Sequence, residues 1–329
     1  MTIKFMQGER IRRALAAAAG AALVTTLAAC GGASDEPGAE GVEEISVTVQ
    51  PASFSAPVFL AIQKGWFEEA GLSVEVKTLP NAGAQMPLIA SGDAQFAVAA
   101  IVPIVVAASQ GLPVKMVAPA SLYGSSQETA AVAIIVPGDS DADSAADLEG
   151  ENVAVIGLKA APEQLLRNAV EEDGGDPDGV KMVQMDYPTG FSALAKGDVA
   201  GMIITEPFVA QAEAQGYKVI SYPELDTSPG GLFAAWFSNA KFLSESPDAA
   251  RRFIEIINRA NEYATQNPDE VNDIVAEQMK IDDQAKAALP DTTFATEFDE
   301  GSLSATVGDV EKFGWARGTP SVDDLVWTE

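Results

Sequence analysis

The chain has no histidine and a single cysteine, Cys30, in 329 residues. Those absences remove Ser-His-Asp and Cys-His nucleophile systems, most zinc sites and any histidine base working near neutral pH. Positive charge is also scarce. Lys and Arg number 20 against 48 Asp and Glu, a net charge of −28. Such a surface argues against nucleic acid and against docking on an anionic bilayer. It suits a saline or acidic habitat. No Gly-rich loop ends in Gly-Lys-Ser/Thr, the phosphate cradle of many nucleotide enzymes. The adjacent acids Asp282-Asp283 and Asp323-Asp324 stand in polar runs and read as solvated surface. No cofactor and no metal are expected.

What is present begins with a leader. Lys4, Arg10, Arg12 and Arg13 outweigh Glu9, and "ALAAAAGAALVTTLA" follows. About fifteen apolar or small residues fall short of the roughly twenty that a membrane-spanning helix needs. They suit the apolar region of a secretion signal. Arg12-Arg13 has flanks that match a twin-arginine signal poorly. The segment Leu27, Ala28, Ala29, Cys30 resembles the lipobox of bacterial lipoproteins. The resemblance implies a signal peptide over 1–29, cleavage before Cys30, and acylation there. The alternative is a buried thiol in a helix. Stable anchoring takes more than one acyl chain. Residues 30–44, mostly Gly and acids, lack an apolar pattern and read as a flexible tether.

Two stretches then echo each other. "SGDAQFAVAAIVP" (91–103) and "KGDVAGMIITEPF" (196–208) each run from a helix end through a Gly-Asp turn into a buried strand and a Pro-containing turn. Between 45 and 137 strands alternate with helices: strands over 45–50, 72–79, 94–100, 113–120 and 129–137, helices over 56–71, 83–92 and 101–111. In the first helix Val58, Ile62 and Trp66 recur at helical spacing, with Gly71 as its stop. The strand at 129–137 has no helix before it and can cross over to a second lobe. Residues 138–230 repeat the alternation, opening on a Ser144–Asp147 capping box. Residues 231–329 return to the first lobe and end in helices, one with Ser246 as cap and Pro247 at its first position. Alternating elements imply α/β layers with mostly parallel sheets. Such sheets bind ligands beyond the carboxyl ends of their strands, and two facing each other make a cleft that a hinge can close.

At this point the residues resemble a family. "SFSAPVFLAIQKGWFEEAGLSVEV", with Lys64, Gly65, Trp66, Phe67, Gly71, Leu72 and Val74, is similar to the opening of the nitrate/taurine/alkanesulfonate type of ABC-importer substrate-binding protein. "LIASGDAQFAV", "ADLEGENVAVIGLKAAPEQLLRNAVEEDGG", "LAKGDVAGMIITEPF" and "NPDEV" follow in the family's order, although Asp93 comes early. The resemblance spans about 45–329. It implies a two-lobed periplasmic-binding-protein type II fold with two hinge crossings, and a monomer outside the cytoplasmic membrane. The monomer would capture a small organic molecule or anion and deliver it to an importer's permease and, through it, an ATPase. The ligands implied are sulfonates, taurine, nitrate, bicarbonate or pyrimidine precursors of thiamine. The same fold includes synthases of a thiamine pyrimidine precursor, which use a histidine and cysteine cluster that this chain lacks. A secreted enzyme of that kind, with Glu206 as acid or base, and a ligand sensor are the alternatives.

The strand ends supply the candidate ligand residues. Ser53, Phe54 and Ser55 follow the first strand and open a helix whose free N–H groups can hold an anion; Ser53 or Ser55 can equally cap it. Ala100 and Ile101 offer backbone only. Tyr123 and Ser125 follow the fourth strand. Across the cleft stand Gly157, Lys159 and Ala160, then Tyr187 and Thr189, then Glu206. Lys159 is the candidate cation for an anionic ligand, or else a solvated loop lysine. Glu206 suits a neutral or cationic heterocycle, or else merely precedes a helix. Trp236 is a platform or a core residue. No arginine stands at these turns to clamp a sulfonate.

Overall fold

The computed structural model describes residues 42–328. The leader, Cys30 and most of the tether lie outside the described residues. Glu43 and Glu44, assigned to the tether, instead begin the first strand. They pair with Leu72 and Ser73, and the Glu43 carboxylate accepts from Arg252 at 2.7 Å.

Ten strands form two five-stranded sheets. They are β1 (Glu43–Val49), β2 (Leu72–Thr78), β3 (Phe96–Ala100), β4 (Val114–Pro119), β5 (Val132–Val136), β6 (Asn152–Val155), β7 (Lys181–Gln184), β8 (Gly201–Thr205), β9 (Lys218–Ser221) and β10 (Ala234–Asn239). The first sheet has the order β2-β1-β3-β10-β4, the second β7-β6-β8-β5-β9. In each, the strand that crosses from the other lobe runs against its neighbours: β10 is antiparallel to β3 and β4, β5 to β8 and β9. The remaining pairs are parallel. The strand expected over 129–137, read as free to cross over, pairs with β8 and β9 in the second sheet.

Alternation along the central strands builds a core on both faces of each sheet. Phe96 and Val98 enter one cluster of the first lobe, Ala97 and Ala99 the other. Val132, Ile134 and Val136 divide from Ala133 and Ile135 in the same way. Edge strand β2 points Ser73, Glu75 and Lys77 outward, the polar pattern that protects an unpaired edge.

The helix expected over 56–71 is two, Ala56–Gln63 and Trp66–Glu69. Gly65 parts them with φ +74°, a left-handed conformation that glycine adopts without steric cost. Ile62, in the last turn of the first helix, is 40% exposed, while Val58 and Trp66 are buried. The Ser144–Asp147 box is present, the Asp147 carboxylate accepting from Ser144 N–H and Oγ, each at 2.9 Å. Ser246 precedes the Pro247–Gln266 helix as expected, yet its hydroxyl makes no capping bond. Phe253, Ile256, Ile257 and Ala260 form that helix's buried face. Short helices at Pro223–Thr227, Ala240–Glu245, Asp283–Ala287 and Val322–Leu325 span too little sequence to show a period.

Candidate functional site

The carboxyl ends of β1, β3 and β4 in one lobe, and of β6, β7 and β8 in the other, line a single cleft of about 1430 Å³. Two crossings join the lobes as an antiparallel ribbon. Leu122 bridges Leu232, Tyr123 N–H donates to the Gly231 carbonyl at 2.8 Å, and Gly230 N–H donates to the Gly124 carbonyl at 3.2 Å. Gly124 must be glycine, because a Cβ there would lie 2.4 Å from the Thr129 carbonyl oxygen.

On the first lobe's wall stand Ser53 and Phe54, at the tip of β1, and Ala100 at the tip of β3. Ser55 is not on the wall. It is 2% exposed, its hydroxyl has no partner, and neither it nor Ser53 caps the helix. Ile101 is also off the wall, and its N–H is spent on the Phe233 carbonyl at 2.9 Å. Tyr123 faces the cleft in a row of rings: it tilts on Phe233 at 4.8 Å, and Phe233 meets Phe54 edge-on at 5.8 Å. Burial pushes the Tyr123 hydroxyl up, with Glu224 and Asp309 adding to the effect. Ser125 lies away from the wall, in an exposed turn closed by Thr129 Oγ1. Trp236 is 0% exposed on β10, edge-on to Phe253 at 5.3 Å. It is core, because its face of the sheet is covered by helix.

On the second wall, Gly157, Lys159 and Ala160 follow β6. Lys159 is left-handed at φ +54°, with its N–H held by the Glu163 carboxylate at 2.6 Å. Its side chain is exposed, as are the apolar Ile156 and Leu158 that precede it in the same loop. Tyr187 lines the cleft, its hydroxyl 2.9 Å from Thr205 Oγ1 and its ring 4.4 Å from Phe208. Thr189 does not; it sits in the first turn of the Tyr187–Lys196 helix, its N–H taken by the Asp186 carboxylate. That helix begins at Tyr187, four residues ahead of the apolar run "FSALA".

Glu206 reaches the cleft from the end of β8, half-buried. Its N–H donates to the Ala131 carbonyl at 2.9 Å, and its Oε2 accepts from Ala210 N–H at 3.2 Å. Burial pushes its carboxyl up to about 7; the Ala210 bond opposes that and Glu213 adds to it. The residue both opens the Phe208–Ala214 helix and faces the cleft.

Sequence reasoning missed Gln50, Phe233 and Glu224, which also line the cleft. Glu224 is 1% exposed. It accepts from Ala131 N–H, and from Val132 and Gly124 backbone groups, at the root of the first crossing. Burial pushes it to about 7 against those bonds. "SYPEL" carries no signal for this, since the role depends on β9 lying beside β5. Among the described residues no group of three or more His, Cys, Asp or Glu could hold a metal ion, and no helix is long and apolar enough to cross a membrane. Asp282 caps a helix, and Asp324 completes a capping box with Ser321.

Two mixed sheets, a double crossing and a cleft at the strand ends define a two-lobed binding fold of the periplasmic-binding-protein type II kind. The crystal structure of the periplasmic aliphatic sulphonate binding protein SsuA from Escherichia coli has this fold. It matches with a TM-score of 0.73 over 87% of this chain and 92% of that one, at 15% identity. The chain belongs to the NMT1/THI5 like family, which it matches over residues 53–271. A formylaminopyrimidine-binding protein of Halalkalibacterium halodurans is 27% identical over 282 residues, 85% of this chain and 80% of its own. The taurine-binding periplasmic protein of Escherichia coli is 25% identical over 228 residues, 69% of each chain. An enzyme is also similar: the 4-amino-5-hydroxymethyl-2-methylpyrimidine phosphate synthase THI11 of Saccharomyces cerevisiae, 24% identical over 243 residues, 67% of this chain and 66% of its own.

Proposed function

We propose that this protein is an extracytoplasmic solute receptor, held to the membrane by lipid on Cys30. It captures one small organic molecule between its lobes and hands it, as a monomer, to the permease of an ABC importer. The observation that carries this reading is the open cleft itself. It gathers aromatic rings, one exposed cation and one half-buried carboxyl at the ends of strands from two hinged lobes. The relatives named as binding formylaminopyrimidine and taurine support it.

The ligand belongs to the sulfonate or heterocycle type. Glu206 with Tyr123, Tyr187 and Phe54 favours a flat molecule carrying N–H groups or positive charge; Lys159 is the group an anionic end would meet. Native mass spectrometry of the purified protein tests this. One small molecule per chain, released unchanged on denaturation, is the expected result. A ligand converted to another product would favour the enzyme reading, which the raised Glu206 carboxyl, in the range of a general base, supports. Cys30→Ala should release the protein from the membrane fraction. Unaltered fractionation would remove the lipid anchor from the account.

A further inference from the structure

Gln50 follows β1 and faces the cleft, half-buried. Behind it stands Gln85, 0% exposed, on the Ala82–Ser91 helix. Their amide orientations follow from a carbonyl. Val98 O, on β3, accepts from Gln85 Nε2 at 3.2 Å. A backbone carbonyl can only accept, so the nitrogen of Gln85 must face it. That turns Gln85 Oε1 toward Gln50. This oxygen too can only accept, so Gln50 Nε2 must face it, at 3.0 Å. Gln50 Nε2 also reaches Val98 O at 3.5 Å. The donors of Gln50 are thus spent inward. Its Oε1 has no hydrogen-bond partner among the described residues and is absent from their buried unpaired atoms, so it stays open to the cleft.

We propose that Gln85 is a positioning residue that fixes Gln50 as a hydrogen-bond acceptor, so that the first lobe selects ligands bearing an N–H or O–H donor. This rests on the receptor reading of the cleft and sharpens it. A donor-free anion would close the lobes with its oxygens against Gln50 Oε1. Flipping the amide to meet such a ligand would break the bond to Gln85 and set oxygen against oxygen. On the facing wall Glu206 is also an acceptor. The site therefore prefers an amine, ammonium or amino-heterocycle to a simple sulfonate or nitrate.

Calorimetric titration of the purified full chain with two matched pairs tests the inference. The probes are taurine against ethanesulfonate, and 4-amino-2-methylpyrimidine against 2,4-dimethylpyrimidine; each pair differs at an amino group. The donor-bearing member of at least one pair should bind about tenfold or more tighter, the scale of an acceptor left unpaired on closure. Gln85→Leu frees the Gln50 amide to turn, and the ratio within that pair should shrink severalfold. Gln50→Met, a change at a half-buried position, should shrink it as well. It carries the test if circular dichroism shows Gln85→Leu unfolded. A merely structural Gln85 would lower affinity for both members and leave the ratio untouched, and that result would overturn the proposal. So would equal or tighter binding of the donor-free members by the unmodified chain. Binding of none of the four probes would overturn the receptor reading and this inference together.

Discussion

Glu206 and Glu224 invite comparison. Each is next to a proline near the end of a second-lobe strand, each lines the cleft, and burial pushes each to about 7. Their surroundings differ. Glu224 is almost wholly enclosed and takes backbone N–H groups from both ends of the first crossing, Gly124 and Ala131–Val132. Glu206 takes one, from Ala210 in the helix that follows it, and keeps accessible surface toward the cleft. One carboxyl is fully engaged in holding the hinge. The other retains acceptor capacity facing the cleft. A raised carboxyl alone does not mark a ligand group; the count of its satisfied partners does.

The largest expected effect separates the two by stability. Glu224→Leu strands the backbone donors of the crossing, and unpaired buried groups cost about 1–3 kcal/mol each. Urea denaturation should show a loss of about 3 kcal/mol. Glu206→Leu should change stability by less than about 1 kcal/mol. Equal losses would dissolve the distinction.

Binding should reverse the ranking. Glu206→Gln should weaken a donor-bearing or cationic ligand about tenfold at pH 8, the worth of a charged hydrogen bond. Unaltered affinity would return Glu206 to a helix-opening role. For such a ligand, affinity in the unmodified chain should rise with pH through about 7 as Glu206 ionises, and Glu206→Gln should flatten the rise. A donor-free anion would show the opposite slope.

Stability should follow pH with the other sign. Both carboxyls lie above their ordinary 4.5 in the folded chain, so folding retains protons that unfolding releases. Their contribution is fully present below pH 4.5 and is lost as pH rises through about 7. Glu206→Gln and Glu224→Gln should each remove part of that fall. The smallest effect belongs to Lys159→Met. Its side chain is exposed and has no ion-pair partner among the described residues, so affinity for a neutral heterocycle should change less than about threefold. A hundredfold loss of affinity for the molecule the protein retains would make Lys159 the main recognition group and that molecule an anion.

Much of this was legible in the residues. Strands alternating with helices gave the two sheets, and the ends of those strands placed Ser53, Phe54, Ala100, Tyr123, Gly157, Lys159, Ala160, Tyr187 and Glu206 on the cleft wall. What failed to show depends on neighbours distant in sequence. Ile101 sits at a strand end like Ala100, but β10 arrives beside it and Phe233 takes its N–H. Trp236 could be sorted only by knowing which face of β10 lies under the Pro247–Gln266 helix. Gln50, Gln85 and Glu224 gain their roles from Val98, Gly124 and Ala131, none of them within ten residues. The break at Gly65 was visible as a glycine in "QKGWF", yet the apolar spacing of Ile62 argued for continuity.

The most direct test of the central claim is a crystal structure of the protein purified with the molecule it retains. The account predicts one small molecule between the lobes, a donor of its own within hydrogen-bond reach of Glu206, and the two sheets drawn together about the 121–124 and 230–233 ribbon. A ligand bound elsewhere, or one in the cleft that leaves Glu206 facing only Ala210, would contradict it.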